Sequence, residues 1–340
     1  MRKLREANKV VRLMAVLPFL LKMVFFAPAI LLAGLPTNFP SGVLSRGVPT
    51  EGSIVPPGAT VIHLSSTHTN ANDGNAGTNP NFPMATLDAA IGRCTANAGD
   101  VIMGYPGHVD SIGNAQIDAD VAGISIIGYG NGPNRPRIDY DHANASLDIG
   151  ANGVKIQNWT FRPSVTVVLI GIDVEATVTD TQLIDLEALP GEAADGTDEF
   201  VTFIETKATC TRTIMDGIKY SHHSSCDGAE QAIHINGISD RVYIGHFWIE
   251  ISGAAAVAGI LFTGVSTRSL VEEGMITTDA EPGIQGDGAN TGTIRRVTIF
   301  ANLATIDAAT VQTGMAHDDV QYIEVGNEAN TLVKTPSIDD

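Results

Sequence analysis

NDGNAGTNPNFPMATLDAAIGRCTANAGDVIMGYPG, residues 72–107, is the stretch that decides the fold. A loop rich in glycine and asparagine leads through a proline-bounded turn into a short amphipathic segment. Thr86 is a residue type that caps helix N-termini. Leu87, Ala90 and Ile91 follow at i, i+3 and i+4, which gives the segment one apolar face. We therefore expect a short helix that packs on its apolar side.

This helix is expected to end at Asn97 and Gly99, and Asp100 begins an apolar run typical of a buried strand. Strand-like segments then continue for the rest of the chain. Such an order suits a parallel β-solenoid, because a helix at its start covers the otherwise bare first coil.

A loose repeat follows the helix. Each unit has a small or turn residue and then alternating apolar positions, as in NGVKIQNWTF at residues 152–161. Corresponding positions recur at unequal intervals, at Ile124, Val154, Val178, Cys210 and Val242, with further units near Leu270 and Ile294. Such a period is typical of a solenoid whose coils bury their apolar faces against one another. We expect Val154 and Val178 to stack in successive coils; a two-sheet sandwich is the alternative.

The predicted architecture is all-β: a right-handed parallel β-helix with a short N-terminal capping helix and an extended N-terminal arm. The expected parts are a basic and apolar arm (1–35), a linker rich in proline and glycine (36–60) and the β-helix (61–340). Because the repeat spacing is uneven, extra residues must leave the coils as loops, chiefly at 188–199 and 222–230.

The charge is distributed unevenly along the chain. The formal net charge is −18, yet residues 1–22 hold six of the 20 basic residues and a single acid. The remainder carries 14 basic and 37 acidic residues, a charge of −23. An acidic surface repels phosphate, so the body is not expected to bind nucleic acid. Three cysteines at no metal-ligand spacing predict neither a disulfide framework nor a metal site.

The apolar run at 13–35 has three interpretations: a buried assembly arm, a signal peptide or a membrane anchor. Lys22 and the prolines Pro18 and Pro28 count against an anchor. As an assembly arm, its contact residues would be Arg2, Lys3, Arg5, Lys9, Arg12, Leu13, Phe19, Phe25 and Phe26.

Several segments resemble a family of bacteriophage-associated right-handed parallel β-helix proteins with a pectate-lyase-like fold. They are residues 39–49, 72–78, 82–97, 99–102, 106–108, 118–132 and 135–138. The resemblance covers about residues 39–140 and continues only as a pattern beyond them. It implies a structural role in the virion. The apolar arm is a departure from the family, so the resemblance does not indicate how the protein attaches.

Four carboxylates could lie on one face of a coil, since residues i and i+2 of a strand share a side. They are Asp118, Asp120, Asp139 and Asp141. Polysaccharide lyases of this fold use such acids to hold calcium while a basic residue abstracts a proton, for which Arg135 and Arg137 are candidates. However, aspartates beside turns also cap backbone groups.

Two further groups are candidates for a site. A metal-like set lies around a polar loop, at His222, His223, Cys226 and His234, but its spacing matches no zinc pattern. Four aromatic residues could form a sugar platform: Trp159, Phe161, Phe247 and Trp248. Alternation points the first two in the same direction, which favours core packing for that pair.

Together with the resemblance, the sequence predicts a virion structural protein: first a capsid decoration or cement protein anchored by its arm, and next a tail or fibre component. The expected partners are other virion proteins, the major capsid protein first, and copies of the chain in a homo-oligomer such as a trimer. No enzymatic activity and no cofactor are expected. The alternative is a secreted or tail-borne polysaccharide lyase or hydrolase. A convergent groove of acids and arginines would favour the enzyme.

Overall fold

The computed structural model describes residues 55–56, 58–191, 197–221, 228–251, 253, 255–278, 282–286, 288–301, 314–324 and 332–334. It also describes two short antiparallel strands, Leu44–Ser45 (β1) and Val48–Pro49 (β2). The predicted arm residues, from Arg2 to Phe26, lie outside this part of the chain. The chain divides into two compact units, Met1–Ile54 and Val55–Asp340.

Three parallel faces make up the second unit. Face A contains β3 (Val61–Leu64), β4 (Val101–Gly104), β7 (Ser125–Gly128), β10 (Lys155–Gln157), β13 (Gln182–Ile184), β16 (Ile214–Asp216), β20 (Tyr243–Gly245), the first halves of β24 (Ser269–Thr278) and β26 (Gly292–Ala301), and β27 (Ala316–Asp318). Face B contains β5 (Val109–Ile112), β8 (Arg137–Tyr140), β11 (Thr160–Pro163), β14 (Glu187–Ala188), β17 (Lys219–Tyr220), β21 (Trp248–Ile251), the second halves of β24 and β26, and β28 (Gln321–Glu324), with β29 (Leu332–Lys334) antiparallel at its edge.

Face C contains β6 (Gln116–Asp118), β9 (Ser146–Ile149), β12 (Val168–Val174), β15 (Phe200–Thr206), β18 (Gln231–Ile235), β22 (Ala258–Phe262) and β25 (Ile284–Gly286). Two short strands, β19 (Ser239–Asp240) and β23 (Ser266–Thr267), pair in the corner between faces C and A. The chain visits A, B and C in turn, and each strand pairs in parallel with the strand one coil later. Seven complete turns form a right-handed parallel β-helix, as predicted, and the sandwich alternative is wrong.

The core is built from aliphatic side chains stacked at equivalent positions of successive coils. On face C one such stack is almost entirely isoleucine, namely Ile117, Leu147, Ile172, Ile204, Ile233, Ile260 and Ile284, all of them buried. Each β-branched side chain packs against the same shape above and below it. A coil therefore buries its apolar surface only when its neighbours are in place.

Val154 and Val178 are both buried, but they do not stack on one another as predicted. The register pairs Lys155 with Gln182, which places Val154 beside Thr181. The connection from β9 to β10 (150–154) is shorter than the connection from β12 to β13 (175–181). Val154 therefore directly precedes its face A strand, whereas Val178 lies four residues before the next one. The coils of the rod therefore differ in length. Equivalent positions along face A are Ser125, Lys155, Gln182, Ile214, Tyr243, Leu270 and Thr293.

The single α-helix of the described residues, α1 (Leu87–Ile91), covers the start of the rod. The Thr86 side chain caps it by accepting a hydrogen bond from the Ala89 backbone nitrogen at 3.4 Å, as predicted. The helix ends at Gly92, earlier than the predicted Asn97 and Gly99. Glycine is a poor helix former, and an Asp100 carboxylate oxygen accepts from the Thr95 backbone nitrogen at 2.7 Å, which stabilises a turn instead.

Every coil from β10 onward turns from face A to face B at one residue in the left-handed conformation. These residues are Asn158, Asp185, Gly217, His246, Glu273, Arg296 and Asp319, with φ between 48° and 73°. Glycine is required at position 217 by close packing, because a Cβ there would lie 2.6 Å from Oδ1 of Asp185 in the preceding coil. No helix among the described residues has the length and apolarity needed to cross a membrane.

We expect Ile204→Ala to lower the free energy of unfolding by about 2–5 kcal/mol, because it leaves a cavity inside the isoleucine stack. Leu169→Ala is the matched control, since Leu169 is 49% exposed and its loss should cost much less. Chemical denaturation followed by circular dichroism measures both. An equal decrease in the free energy of unfolding for Ile204→Ala and Leu169→Ala would contradict a core built from the stacked isoleucines.

Candidate functional site

Face C is the face that the long loops border. The connections 189–199, 221–230, 252–257 and 279–283 all lead from face B into a strand of face C, and parts of each lie outside the described residues. Loops held by a rigid scaffold are where binding and catalytic residues concentrate. Any groove on this rod is therefore expected along face C.

An acidic ladder runs along the outer side of face C. The register places Asp118, Asp148, Asp173 and Glu205 at one position of four successive coils. Neighbouring strands lie about 4.8 Å apart, so these side chains are stacked at that interval. Asp118 is exposed, whereas Asp148, Asp173 and Glu205 are only 8%, 6% and 9% exposed.

One lysine partly neutralises the ladder. The Lys207 ammonium lies 2.7 Å from Oδ2 of Asp173 and 2.8 Å from Oε1 of Glu175, a further carboxylate at the next outward position. Asn236 Nδ2 donates to Oε1 of Glu205 at 2.6 Å. The ammonium group thus binds two of the five carboxylates, and the patch keeps an excess of negative charge.

The electrostatics of the ladder favour proton uptake. Burial raises the pKa of Asp173 from 3.8 to about 6; Lys207 opposes this, while Glu175 and Asp148 reinforce it. Burial also raises the pKa of Asp148, and the charges of Glu175 and Asp118 add to that effect. Oδ1 of Asp148 and Oδ1 of Asp173 are buried without a hydrogen-bond partner in the described structure. Two carboxylate oxygens of the ladder are thus buried without a compensating hydrogen-bond donor.

A cavity of about 180 Å³ opens beside Asp173. The apolar part of its wall is formed by Ala143, Ala145, Leu169 and Ile170, and the polar part by Gln116, Asn144 and Ser146. It is smaller than the roughly 300–1,000 Å³ of ordinary small-molecule pockets. Its size and lining suit one aliphatic side chain or a small amine whose polar end meets the carboxylate.

His234 continues the ladder on the next coil. Its Nε2 lies 2.9 Å from Oγ1 of Thr263, and its Nδ1 lies 3.7 Å from Oε1 of Glu205. Burial lowers the pKa of His234, although Glu205 opposes this shift. The other members of the metal-like set, His222, His223 and Cys226, lie outside the described residues. Within the described ranges, no three histidine, cysteine or carboxylate side chains are arranged to hold a metal ion.

The prediction that Asp118 shares a face with Asp139 and Asp141 is wrong. Asp118 lies on face C, whereas Asp139 lies on face B and accepts hydrogen bonds from Arg137 at 2.7 Å and from Arg162 at 2.6 Å. Asp141, directly after the same strand, accepts from the Ser111 hydroxyl. Asp120 lies two residues beyond the end of β6, outside any strand. The corner between faces B and C separates Asp118 from Arg137.

The Arg135 side chain also binds other groups of the chain. It is buried near the corner between faces A and B, where it donates to the Asp185 backbone oxygen at 3.2 Å and to the Glu187 carboxylate. All other arginines of the described ranges likewise donate to a carboxylate or backbone oxygen of the chain; they are Arg93, Arg137, Arg162, Arg212, Arg241, Arg268, Arg295 and Arg296. On face C, Lys207 is the basic partner of Asp173 and Glu175, and His234 lies beside Glu205.

The predicted sugar platform is reduced to one residue. Trp159 and Phe161 are buried in the core, as predicted, and Phe247 is buried as well. Trp248 is 49% exposed on face B, and its Nε1 donates to Oε1 of Glu250 at 2.9 Å. The aromatic residues thus do not form a shared platform.

Sequence reasoning did not identify the acidic ladder beyond Asp118. Its next members are Asp148, Asp173 and Glu205, one in each of the following coils. A search for acids that recur at the coil period, one place after an inward-facing isoleucine or leucine, could have found them.

We expect Asp173→Asn to remove part of the pH dependence of stability. Because the pKa of Asp173 is higher folded (about 6) than its ordinary value of 3.8, the folded state binds the proton more tightly. That contribution is fully present below about pH 4 and is lost as the pH rises through 6. The melting temperature of the variant relative to the wild type should therefore increase from pH 4 to pH 7.

Asp88→Asn, which removes one carboxylate from an exposed position of α1, is the control. Scanning calorimetry at half-unit pH steps measures all three proteins. Parallel curves for Asp173→Asn and the wild type would contradict the raised pKa.

Comparisons with known proteins provide one structural similarity. No protein-family model matches the chain, and no curated protein matches its sequence. A solved structure of a rhamnogalacturonan lyase is similar over 71% of this chain and 74% of its own, with a TM-score of 0.44 and 11% sequence identity. So distant a similarity carries no argument about activity. The parallel β-helix is established by the strand pairing of the chain itself.

Proposed function

We propose that this chain is a structural component of a bacteriophage particle, a β-helical rod that decorates the capsid and attaches through residues 1–35. The observation that carries the proposal is the use of charged side chains to join successive coils. Arg212 binds Asp180 of the preceding coil at 2.5 Å, and Arg268 binds Asp240 at 2.5 Å in the same way. Such pairs support a rigid body.

A second line of charges follows the corner between faces A and B. His246 lies 2.7 Å from Asp216 on the preceding coil and 2.7 Å from Glu273 on the following one, and these contacts raise the pKa of the imidazole. Arg296 binds Glu273 one coil further on. Exposed ion pairs are individually weak, but here they repeat in register along the rod. Guanidinium groups committed to such contacts suit a structural role better than turnover.

The resemblance of residues 39–140 to phage-associated β-helix proteins supports a virion location. The basic and apolar sequence of residues 1–35 supports attachment to other virion proteins, with the major capsid protein as the proposed partner and a homo-oligomer as the proposed state.

We expect the full chain to co-sediment with phage particles, and deletion of residues 1–35 to abolish that association, because the apolar contacts of the arm would be lost. Density-gradient centrifugation of particles produced with either form, followed by quantitative mass spectrometry, measures the ratio to the major capsid protein.

The control is a chain with Phe82→Ser, which removes an exposed aromatic residue from the body and keeps the arm. Circular dichroism should show the same β-helix in all three proteins. Normal incorporation of the truncated chain would refute the arm as the anchor. Absence of the full chain from purified particles would refute the virion role.

A second candidate is a polysaccharide lyase or hydrolase, and one observation favours it. Asp173, with a pKa of about 6, lies beside the cavity on the loop-bordered face, which is a suitable environment for a general acid. Lys207 would then position its carboxylate.

On the structural proposal, incubation with neutral and anionic polysaccharides, with and without calcium, should yield no products. Unsaturated ends and reducing ends are the two readouts, because lyases produce both and hydrolases only the second. Asp88→Asn is the matched control for Asp173→Asn. Reproducible cleavage that is lost in Asp173→Asn and kept in Asp88→Asn would replace the structural proposal with the enzymatic one.

A further inference from the structure

The acidic ladder has the features of a site for a positively charged side chain. Asp148 and Asp173 each present a buried carboxylate oxygen with no partner in the described structure. Asp118 extends the same column to an exposed position. The carboxylates of the ladder lie on the outward side of a rigid sheet, where an ammonium or guanidinium group placed beside them would offset their negative charge.

The chain itself contains an example of the interaction. Lys207 binds Asp173 through one carboxylate oxygen and Glu175 through another, at 2.7 and 2.8 Å. The second oxygen of Asp173 is buried and has no hydrogen-bond partner in the described structure. Lys207 therefore leaves part of the negative charge of the ladder without a partner.

The neighbouring cavity indicates what kind of cation fits. One part of its wall is apolar and is formed by Ala143, Ala145, Leu169 and Ile170, and Asp173 supplies the charged end. Gln116, Asn144 and Ser146 line the remainder with polar groups. A lysine side chain has the matching structure, an aliphatic stem with a charged head. The volume of about 180 Å³ suits one such side chain rather than a folded domain or a large cofactor.

The sequence supplies a complementary partner. Residues 1–12 contain five basic residues and one acid, whereas the chain beyond residue 22 carries 14 basic against 37 acidic residues. Opposite potentials on two surfaces steer them together and fix their register. We propose that the acidic ladder of face C binds the basic N-terminal segment of a second copy of this chain, with a lysine of that segment in the cavity beside Asp173.

This inference rests on the proposed function, because a particle decorated by many copies brings the segment of one chain to the body of the next. It adds the contact by which copies are linked. The raised pKa values of Asp148 and Asp173 are consistent with it, since bound cations would restore the charged form of both carboxylates.

The test uses a fluorescent peptide of residues 1–12 as probe. The acceptor is the full chain with Arg2, Lys3, Arg5, Lys9 and Arg12 replaced by glutamine, so that its own segment does not compete. We expect salt-sensitive binding that weakens about tenfold, equivalent to about 1.4 kcal/mol, when D148N and D173N are added. The control acceptor carries D88N and D319N, the same charge change at exposed positions, and should bind as before.

Asp118→Asn is a further variant, at an exposed position that should not affect folding, and it should weaken binding in the same direction. Equal binding by the D148N/D173N and D88N/D319N acceptors would overturn the proposal, because it would mean diffuse attraction to an acidic body. Binding of calcium ions by the ladder with no binding of the peptide would overturn it as well.

Sedimentation of the otherwise unmodified full chain provides the second measurement. Self-association should increase with protein concentration and be lost in both the glutamine variant and D148N/D173N. An association state that does not depend on concentration would overturn the contact between copies. Co-sedimentation with particles that persists in D148N/D173N while self-association does not change would refute this inference and leave the proposed function standing. If the full chain does not associate with particles but still self-associates through the ladder, the proposed function would be refuted and the contact between copies would stand.

Discussion

The rest of this structure depends on one repeated backbone bend. From β10 onward, each coil passes from face A to face B at a single residue with positive φ, among them Asn158, Asp185, Gly217 and His246. The backbone nitrogen of each of these bonds to a carbonyl of the following coil, for example Asp185 to Asp216 at 2.8 Å. Because the bend occupies one residue per coil, the strands on both sides keep the same register. Side chains at equivalent positions are therefore brought to within one strand spacing of each other.

That register has opposite consequences inside and outside the rod. Inside, it stacks isoleucine on isoleucine along face C, which favours close packing of β-branched side chains. Outside, it stacks Asp148 on Asp173 and Asp173 on Glu205. Like charges on neighbouring strands destabilise a sheet. The chain offsets part of this with Lys207 and Asn236, and the pKa of Asp173 rises.

Elsewhere on the rod the same stacking pairs opposite charges. Asp180 with Arg212, and Glu272 with Arg295, lie one coil apart and bind directly. On face C, by contrast, acids stack on acids in register over four coils. Such an arrangement reduces stability on its own, which is why we connect it with a partner of opposite charge. The proposed contact between copies and the enzymatic candidate both depend on this column: the first requires it to bind a cationic side chain, and the second requires Asp173 to transfer a proton to a substrate.

The sequence by itself determined the fold class and much of the core. The cap at Thr86, the buried face of α1, and the inward Trp159 and Phe161 follow from local spacing alone, because helix and strand periods act over a few residues. The turn unit with alternating apolar positions was enough to predict stacked coils. These features depend on neighbours in the chain, and such neighbours are visible in the sequence.

Only the tertiary structure decided which residues meet across coils. Val154 lies beside Thr181 rather than Val178, and Asp118 meets Asp148 rather than Asp139. The coils differ in length, since loops and corners add residues at different points. Backbone hydrogen bonds between strands set the alignment, and they ignore residues that loop out. The acidic ladder therefore exists in the sequence only as four acids at unequal intervals, and stacking of the coils places them side by side.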